Sequence, residues 1–152
     1  MIKKLLLLIS LTLPLLGLAQ PKQKPGVVYD AVFTRVIDGD TVAFKATFLP
    51  APLKQELSLR VYGVDTPEKG HRAKCPDENL RGRAASEFTK KAIASSQKHQ
   101  ILLMDWDKYG GRVLGDILLN GQSLRMMLIQ NGYAREYYGD AKVSWCSKEQ
   151  KH

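Results

Sequence analysis

Three short stretches of this chain carry side chains suited to phosphoester chemistry. The first is Val36-Ile37-Asp38-Gly39-Asp40-Thr41-Val42. Carboxylates two residues apart can converge on one hard cation, which takes several oxygen ligands. The plainer reading is a hairpin turn with its glycine at a positive φ. The second is Leu59-Arg60-Val61-Tyr62-Gly63-Val64-Asp65-Thr66-Pro67-Glu68. An arginine inside an apolar strand is costly unless it faces a partner or an opening. Asp65 ends that strand, and Glu68 follows in a loop held by Pro67. Strict alternation puts Arg60 and Asp65 on opposite faces, so they converge only if the strand bends, and Gly63 offers a bend. The plainer reading is an edge strand with solvated charges. The third is Asp107-Lys108-Tyr109-Gly110-Gly111-Arg112-Val113-Leu114-Gly115. It is either a glycine-rich hairpin with a solvated arginine or a rigid perch that aims Arg112 at an anion.

Taken together, these carboxylates, arginines and threonine suit hydrolysis of a phosphodiester. A divalent cation and guanidinium groups would offset the charge of the transition state, and a carboxylate would activate water as general base. A Ser-His-Asp arrangement is unsupported, because His71, His99 and His152 lie in polar segments without a nucleophile motif. The same shortage of ligands argues against a structural zinc site.

These stretches need a frame. Residues 27–37 are rich in β-branched and aromatic side chains and read as a strand, with 41–49 as its return across the Asp38-Gly39-Asp40 turn. Residues 55–64 alternate apolar and polar and read as a third strand. Residues 68–79 read as a charged loop and 80–98 as a helix. Two more strands follow, 100–106 and 112–119, with the Asp107–Gly111 turn between them. Ser123 is a good N-cap for a helix to about residue 130, and Asn131-Gly132 ends it. The order β-β-β-α-β-β-α suits a mainly β fold with helices, a five-stranded Greek-key barrel of the OB type with two helices. A flat α+β sheet is the alternative.

The chain has 152 residues and a formal net charge of +8, with 44% hydrophobic and 25% charged residues. That is the size of one domain, too apolar for intrinsic disorder, and holds a single long apolar run. This run, residues 5–18, follows Lys3 and Lys4 and precedes Gly17-Leu18-Ala19, the pattern of a secretory signal over 1–19. With Pro14 inside, it is shorter than the roughly 20 residues of a membrane span. The expectation is an exported protein, secreted or periplasmic, with a polar leader over 20–26 and one domain over 27–152. A basic exported protein suits a polyanionic partner, whether nucleic acid, an anionic glycan or a membrane surface. Export also makes a disulfide between Cys75 and Cys146 possible; two unrelated free thiols are the alternative.

The three motifs, in this order and spacing, resemble the staphylococcal-nuclease-like (thermonuclease) family over about residues 32–138. The resemblance implies an OB-type barrel and a Ca²⁺-dependent nuclease acting on DNA and/or RNA, leaving 3′-phosphate ends. By position it implies Asp40 and Asp65 as calcium carboxylates, Thr66 as a carbonyl ligand and Asp38 as an acid acting through water. It implies Glu68 as general base, Arg60 and Arg112 as phosphate binders, and Tyr109 and Tyr138 as tyrosines lining the nucleotide pocket. A monomer without stable membrane association is expected. The competing reading is a non-catalytic nucleic-acid-binding module on the same barrel, which would keep the basic groove and lose acids or arginines. Two departures stand out. There is an extra glycine before Arg112, and about a dozen residues follow Ala141 where the family has a long third helix, so that helix is truncated or absent.

Overall fold

In the computed structural model, residues 24–108 and 110–146 are described. The signal-like segment over 1–19, most of the polar leader and Tyr109 lie outside them. Strands form where β-branched and aromatic residues cluster. They are β1 (Val27–Asp30), β2 (Phe33–Asp38), β3 (Thr41–Lys45), β4 (Glu56–Val61), β5 (Val64–Asp65), β6 (His99–Trp106), β7 (Arg112–Leu119), β8 (Gln122–Ser123) and β9 (Arg135–Glu136). The helices are α1 (Pro76–Ala94) and α2 (Leu124–Gln130), with a short 3₁₀ turn at Gly70–Arg72.

The main sheet runs β1-β6-β7-β4-β3-β2, and β8 adds to β7. The β4–β7 pair is parallel and the others are antiparallel. A separate ribbon pairs β5 with β9. The fold is thus mainly β with two helices and OB-like, but its strand ladder does not close into a barrel. The two ends of the path, β1 and β2, are consecutive in the chain and joined by Ala31 and Val32. Ala31 donates to the His99 carbonyl at 3.0 Å, while the Val32 carbonyl accepts from Lys45 at 2.9 Å. The covalent chain bridges the gap that a closed barrel fills with hydrogen bonds.

Other boundaries moved for local reasons. The strand expected over 27–37 is split there into β1 and β2. The strand expected over 55–64 breaks after Val61, where Gly63 takes φ +77°, a conformation open to glycine. Helix α1 begins four residues before the expected Leu80. Cys75 is its N-cap, Pro76 sits in the first turn, and Asp77 and Glu78 place negative charge at the N-terminus. Much of the expected loop is therefore helix. Helix α2 starts as read, with the Ser123 hydroxyl accepting from the Met126 N–H. Among the described residues no helix follows Gln130, and none is long and apolar enough to cross a membrane.

Val42, Phe44, Leu59, Val61, Ile101, Ile117, Leu124 and Leu128 form the centre of the core. Burying each such side chain contributes roughly 1.5–3 kcal/mol. Leu59 and Val61 face inward, so Arg60 between them faces the other side of β4.

Candidate active site

The parallel register sets Ser58 beside Arg112 and Arg60 beside Leu114. Residues 58 and 60 share one face of β4, so Arg60 and Arg112 project from the same outer face of two adjacent strands. Thr41 pairs with Arg60 on the other side. Arg60 Nη2 lies 3.5 Å from Asp40 Oδ2 and 3.4 Å from the Val64 carbonyl. The Gly63 turn therefore folds the chain so that the Val64 carbonyl, at the start of β5, comes back to Arg60.

Helix α1 fixes the acidic turn. Gly39 does not take the positive φ expected of a hairpin glycine; its value is proximity. A Cβ there would sit 2.7 Å from the Ala85 Cβ and 3.2 Å from Thr66 Cγ2. The Thr89 hydroxyl donates to the Gly39 carbonyl at 2.6 Å. Gly82 gives the same close approach a turn earlier on the helix, where a Cβ would come 2.3 Å from the Glu68 carbonyl oxygen. Small residues on α1 thus bring the Asp38–Asp40 turn and the Asp65–Glu68 loop against one helix.

Asp40 is 5% exposed, and its Oδ1 accepts from the Thr41 hydroxyl at 2.9 Å. Asp65 is 6% exposed, and both its oxygens are engaged from the C-terminal segment. Lys142 Nζ lies 2.6 Å from Oδ1, and the Trp145 indole N–H donates to Oδ2 at 3.0 Å. Thr66 is buried beside it. Asp38 is bonded to Arg72 and lies 4.0 Å from Lys69, yet its Oδ1 is buried with no hydrogen-bond donor. Glu68 meets Arg72 Nε at 3.3 Å, and its N–H donates to the buried Glu78 at 3.4 Å. Desolvation pushes the Glu68 carboxyl above its ordinary range, against the pull of Arg72; the nearby Asp38 and Asp40 push the same way, while Lys142 opposes them.

Arg112 opens β7 and is bonded to Asp107. The glycine pair before it is accommodated because Gly110 and Gly111 both take positive φ, 70° and 71°, with open space around them. Arg112 and Arg60 line a cavity of about 510 Å³ with Tyr62, Tyr138, Trp106 and Lys142. Arg112 also reaches a smaller cleft that it shares with Asp38, Thr41 and Arg72. Tyr138 accepts a hydrogen bond from Arg125 at 2.6 Å and sets its ring against Tyr62, with centroids 5.8 Å apart.

A hard cation such as Ca²⁺ fits this donor set. Asp40, Asp65 and Thr66 offer oxygen donors, and the orphaned Asp38 Oδ1 wants a donor of the kind a hydrating water supplies. The set is sparse, so a bound ion would keep several waters. The one close cluster of three potential ligand groups among the described residues is Cys75, Glu78 and Cys146. Its sulfurs are joined as the Cys75–Cys146 disulfide, which removes them as ligands. The site is therefore not a tight three-carboxylate cage.

Of the residues singled out from the sequence, Arg60, Arg112 and Tyr138 line the larger cavity and Asp38 and Arg112 the smaller cleft; Asp40, Glu68 and Asp65 line neither and meet lining residues through Arg60, Arg72 and Lys142, and Thr66 is buried next to Asp65. Sequence reading missed Arg72, Lys142, Trp145, Tyr62 and Trp106. A residue four positions after Glu68 was a visible signal for Arg72. Tyr62 lies inside the second motif and Trp106 directly before the third, whereas Lys142 and Trp145 sit in a segment with no motif.

Residues 58–152 match the family model described as staphylococcal nuclease homologue. The chain is also 34% identical over 116 residues to a protein named endonuclease YhcR from Bacillus subtilis (strain 168). That match covers 72% of this chain and 9% of the relative, so the chain spans a small share of the relative's length. The chain belongs to the staphylococcal nuclease homologue family.

Proposed function

We propose that this protein is an exported, calcium-dependent nuclease, acting as a monomer, that cleaves phosphodiester bonds of DNA and/or RNA and leaves 3′-phosphate ends. The observation that carries the reading is the shared outer face of Arg60 and Arg112, with Asp40 3.5 Å from Arg60. Two guanidinium groups on rigid neighbouring strands suit the paired oxygens of a phosphate. Membership of the family and the name of the relative support the same activity.

Asp40 and Asp65, with the Thr66 carbonyl, would hold the cation, and Asp38 would act on it through water. When bound, the cation would supply positive charge to offset that of the phosphate. Glu68 takes a proton from the attacking water, whose oxygen bonds to phosphorus as the bond to the 5′-oxygen breaks. That oxygen leaves as an alcohol after taking up a proton. Arg60 and Arg112 donate to the phosphate oxygens as their charge grows. Tyr138 would line the nucleotide pocket, as would Tyr109, which lies outside the described residues. Glu68 suits its role because burial raises its proton affinity while Arg72 keeps the ionised form accessible.

The test is degradation of DNA and RNA with calcium and then with chelator, followed by end-group analysis. Calcium-dependent cleavage leaving 3′-phosphate is expected. Binding that leaves the nucleic acid intact even with calcium present would replace this reading with the non-catalytic module.

A further inference from the structure

A further cleft lies between α1 and the loop after Glu68. From the helix it is lined by Arg83, Ser86, Glu87 and Lys90, whose spacing of i, i+3, i+4 and i+7 puts them on one helix face. The loop adds Lys69 and Arg72. That loop is pinned to the helix, because the Gly70 N–H donates to Asn79 Oδ1 at 2.8 Å and the Lys74 N–H donates to Glu78 Oε2 at 2.7 Å. Gly70 makes the turn with φ +63°, a conformation that glycine adopts without strain. Hydrogen bonds therefore fix the loop against the helix on both sides of Arg72.

The charges in this cleft do not cancel. Lys69, Arg72, Arg83 and Lys90 meet a single carboxylate, Glu87. Helical spacing offers Glu87 to Arg83 as an i, i+4 partner, but Glu87 accepts from Lys90 at 2.6 Å instead. Among the described residues Arg83 has no acidic partner. The hydrogen bond from Lys90 holds the Glu87 carboxyl below its ordinary range, and Lys91 and Lys69 pull the same way, so loop and helix share one positive field. Ser86 lies within that field. It is 2% exposed, and its Oγ has no hydrogen-bond partner. A buried hydroxyl left unpaired is costly. A stripe of charges that only kept the helix soluble would need none, whereas an anion's oxygen would accept from it.

Arg72 belongs to two clefts at once. It lines this one and also the smaller cleft with Arg112, and Arg112 in turn lines the larger cavity with Arg60. A row of cationic side chains thus runs from Arg60 through Arg112 and Arg72 to Arg83 and Lys90. A single phosphate needs one or two such groups, whereas a row suits a chain of phosphates. Resting on the nuclease reading above, we propose that the cleft between α1 and the Lys69–Arg72 loop is a second phosphate-binding site, which holds the backbone of the same nucleic-acid chain several nucleotides from the bond being cut. Backbone contacts position a nucleic acid and carry no sequence information. The site therefore lengthens the footprint without narrowing the sequences that are cut.

The experiment measures binding in the presence of calcium with Glu68→Gln as the common background, so that the probes stay intact. The probes are a four-nucleotide and a sixteen-nucleotide oligonucleotide, with heparin as a polyanion that lacks phosphate. Arg83→Gln combined with Lys90→Gln removes two charges from exposed helix positions. It should weaken the long oligonucleotide about tenfold and reduce the slope of log K against log salt by about 1.4, the value for two phosphate contacts on a single strand. The short oligonucleotide should stay within about twofold. Ser86→Ala keeps every charge and should weaken the long oligonucleotide by about threefold, with the short one unchanged. Unchanged binding of the long oligonucleotide by the double variant overturns the proposal. So does an equal loss on both lengths, which marks a change in the catalytic cleft or the fold, and so does a loss confined to heparin, which reassigns the cleft to a sulfated glycan. If the parent protein cleaves neither oligonucleotide and the background binds neither, the nuclease reading falls and takes this proposal with it. If the parent cleaves both and the double variant binds as the background does, this proposal falls alone.

Discussion

Asp40 and Asp65 are nearly equal in burial, yet they are held in opposite ways. Asp40 takes its contacts from near neighbours in the sheet: the Thr41 hydroxyl, and Arg60 across the β3–β4 ladder. Asp65 is held by Lys142 and Trp145, residues 77 and 80 positions away. The segment that carries them is fastened by Cys75–Cys146 to the N-cap of α1. One acid belongs to the sheet. The other depends on a strap, and Arg135 stacking at 3.7 Å over the Trp145 ring adds to that strap. A site can thus be assembled half by strand register and half by a covalent fastening.

The largest expected effect is common to both halves. Glu68→Gln should lower kcat by about 100-fold or more while leaving nucleic-acid binding nearly unchanged, because only the proton acceptor is lost. Single-turnover cleavage checks this, and activity retained within about tenfold would remove Glu68 as the base. Arg112→Lys comes next, at about 10- to 100-fold in kcat/KM, since a point charge cannot reproduce the fork. A mild effect would make Arg112 a surface residue.

Asp65 is reached most directly through the strap. Replacing Cys75 and Cys146 by serine opens a loop of sequence separation 71. The chain-entropy model puts that loss at roughly 4 kcal/mol, a fall in Tm on the order of 10 °C. Thermal melting with and without reductant tests it. Hydrogen exchange of the Trp145 indole should accelerate in the variant, reporting release from Asp65, while the sheet amides around Asp40 stay protected. A Tm indifferent to reductant would show that the strap holds without its disulfide.

Lys142→Met sharpens the same contrast. The ammonium on Asp65 competes with any divalent cation there, but its side chain is 44% exposed, so the pair is weak, about 1 kcal/mol at most. Calcium should therefore bind up to about fivefold more tightly in the variant, by titration calorimetry. Weaker binding would instead make Lys142 a support for the ligand. The smallest effect concerns pH. Because burial raises the Glu68 pKa, its carboxylate form, and with it the rate, is lost as pH falls through that raised value. Arg72 pulls the value down, so Arg72→Met should move the acid limb of the kcat/KM profile to higher pH. A shift toward lower pH would contradict the assignment.

Features whose signals are local can be read along the chain. Ser123 and the Asn131-Gly132 pair bound α2, the polar–apolar alternation of β4 puts Arg60 outward, and three motifs carry the acids and arginines. Capping, turn chemistry and the period of two act between residues a few positions apart, so they are written in the chain. Tertiary structure decided the rest. Even the start of α1 at Pro76 carries local signals, with Asp77 and Glu78 beside the proline; what the fold adds is the tie from its cap, Cys75, to the far end of the chain. The close approach of Gly39 and Gly82 depends on which helix packs over them, and the strand split at Ala31-Val32 depends on which neighbours β1 and β2 find. Lys142, Trp145 and Trp106 acquire their places from contacts between distant segments, whose energies no single stretch of sequence contains.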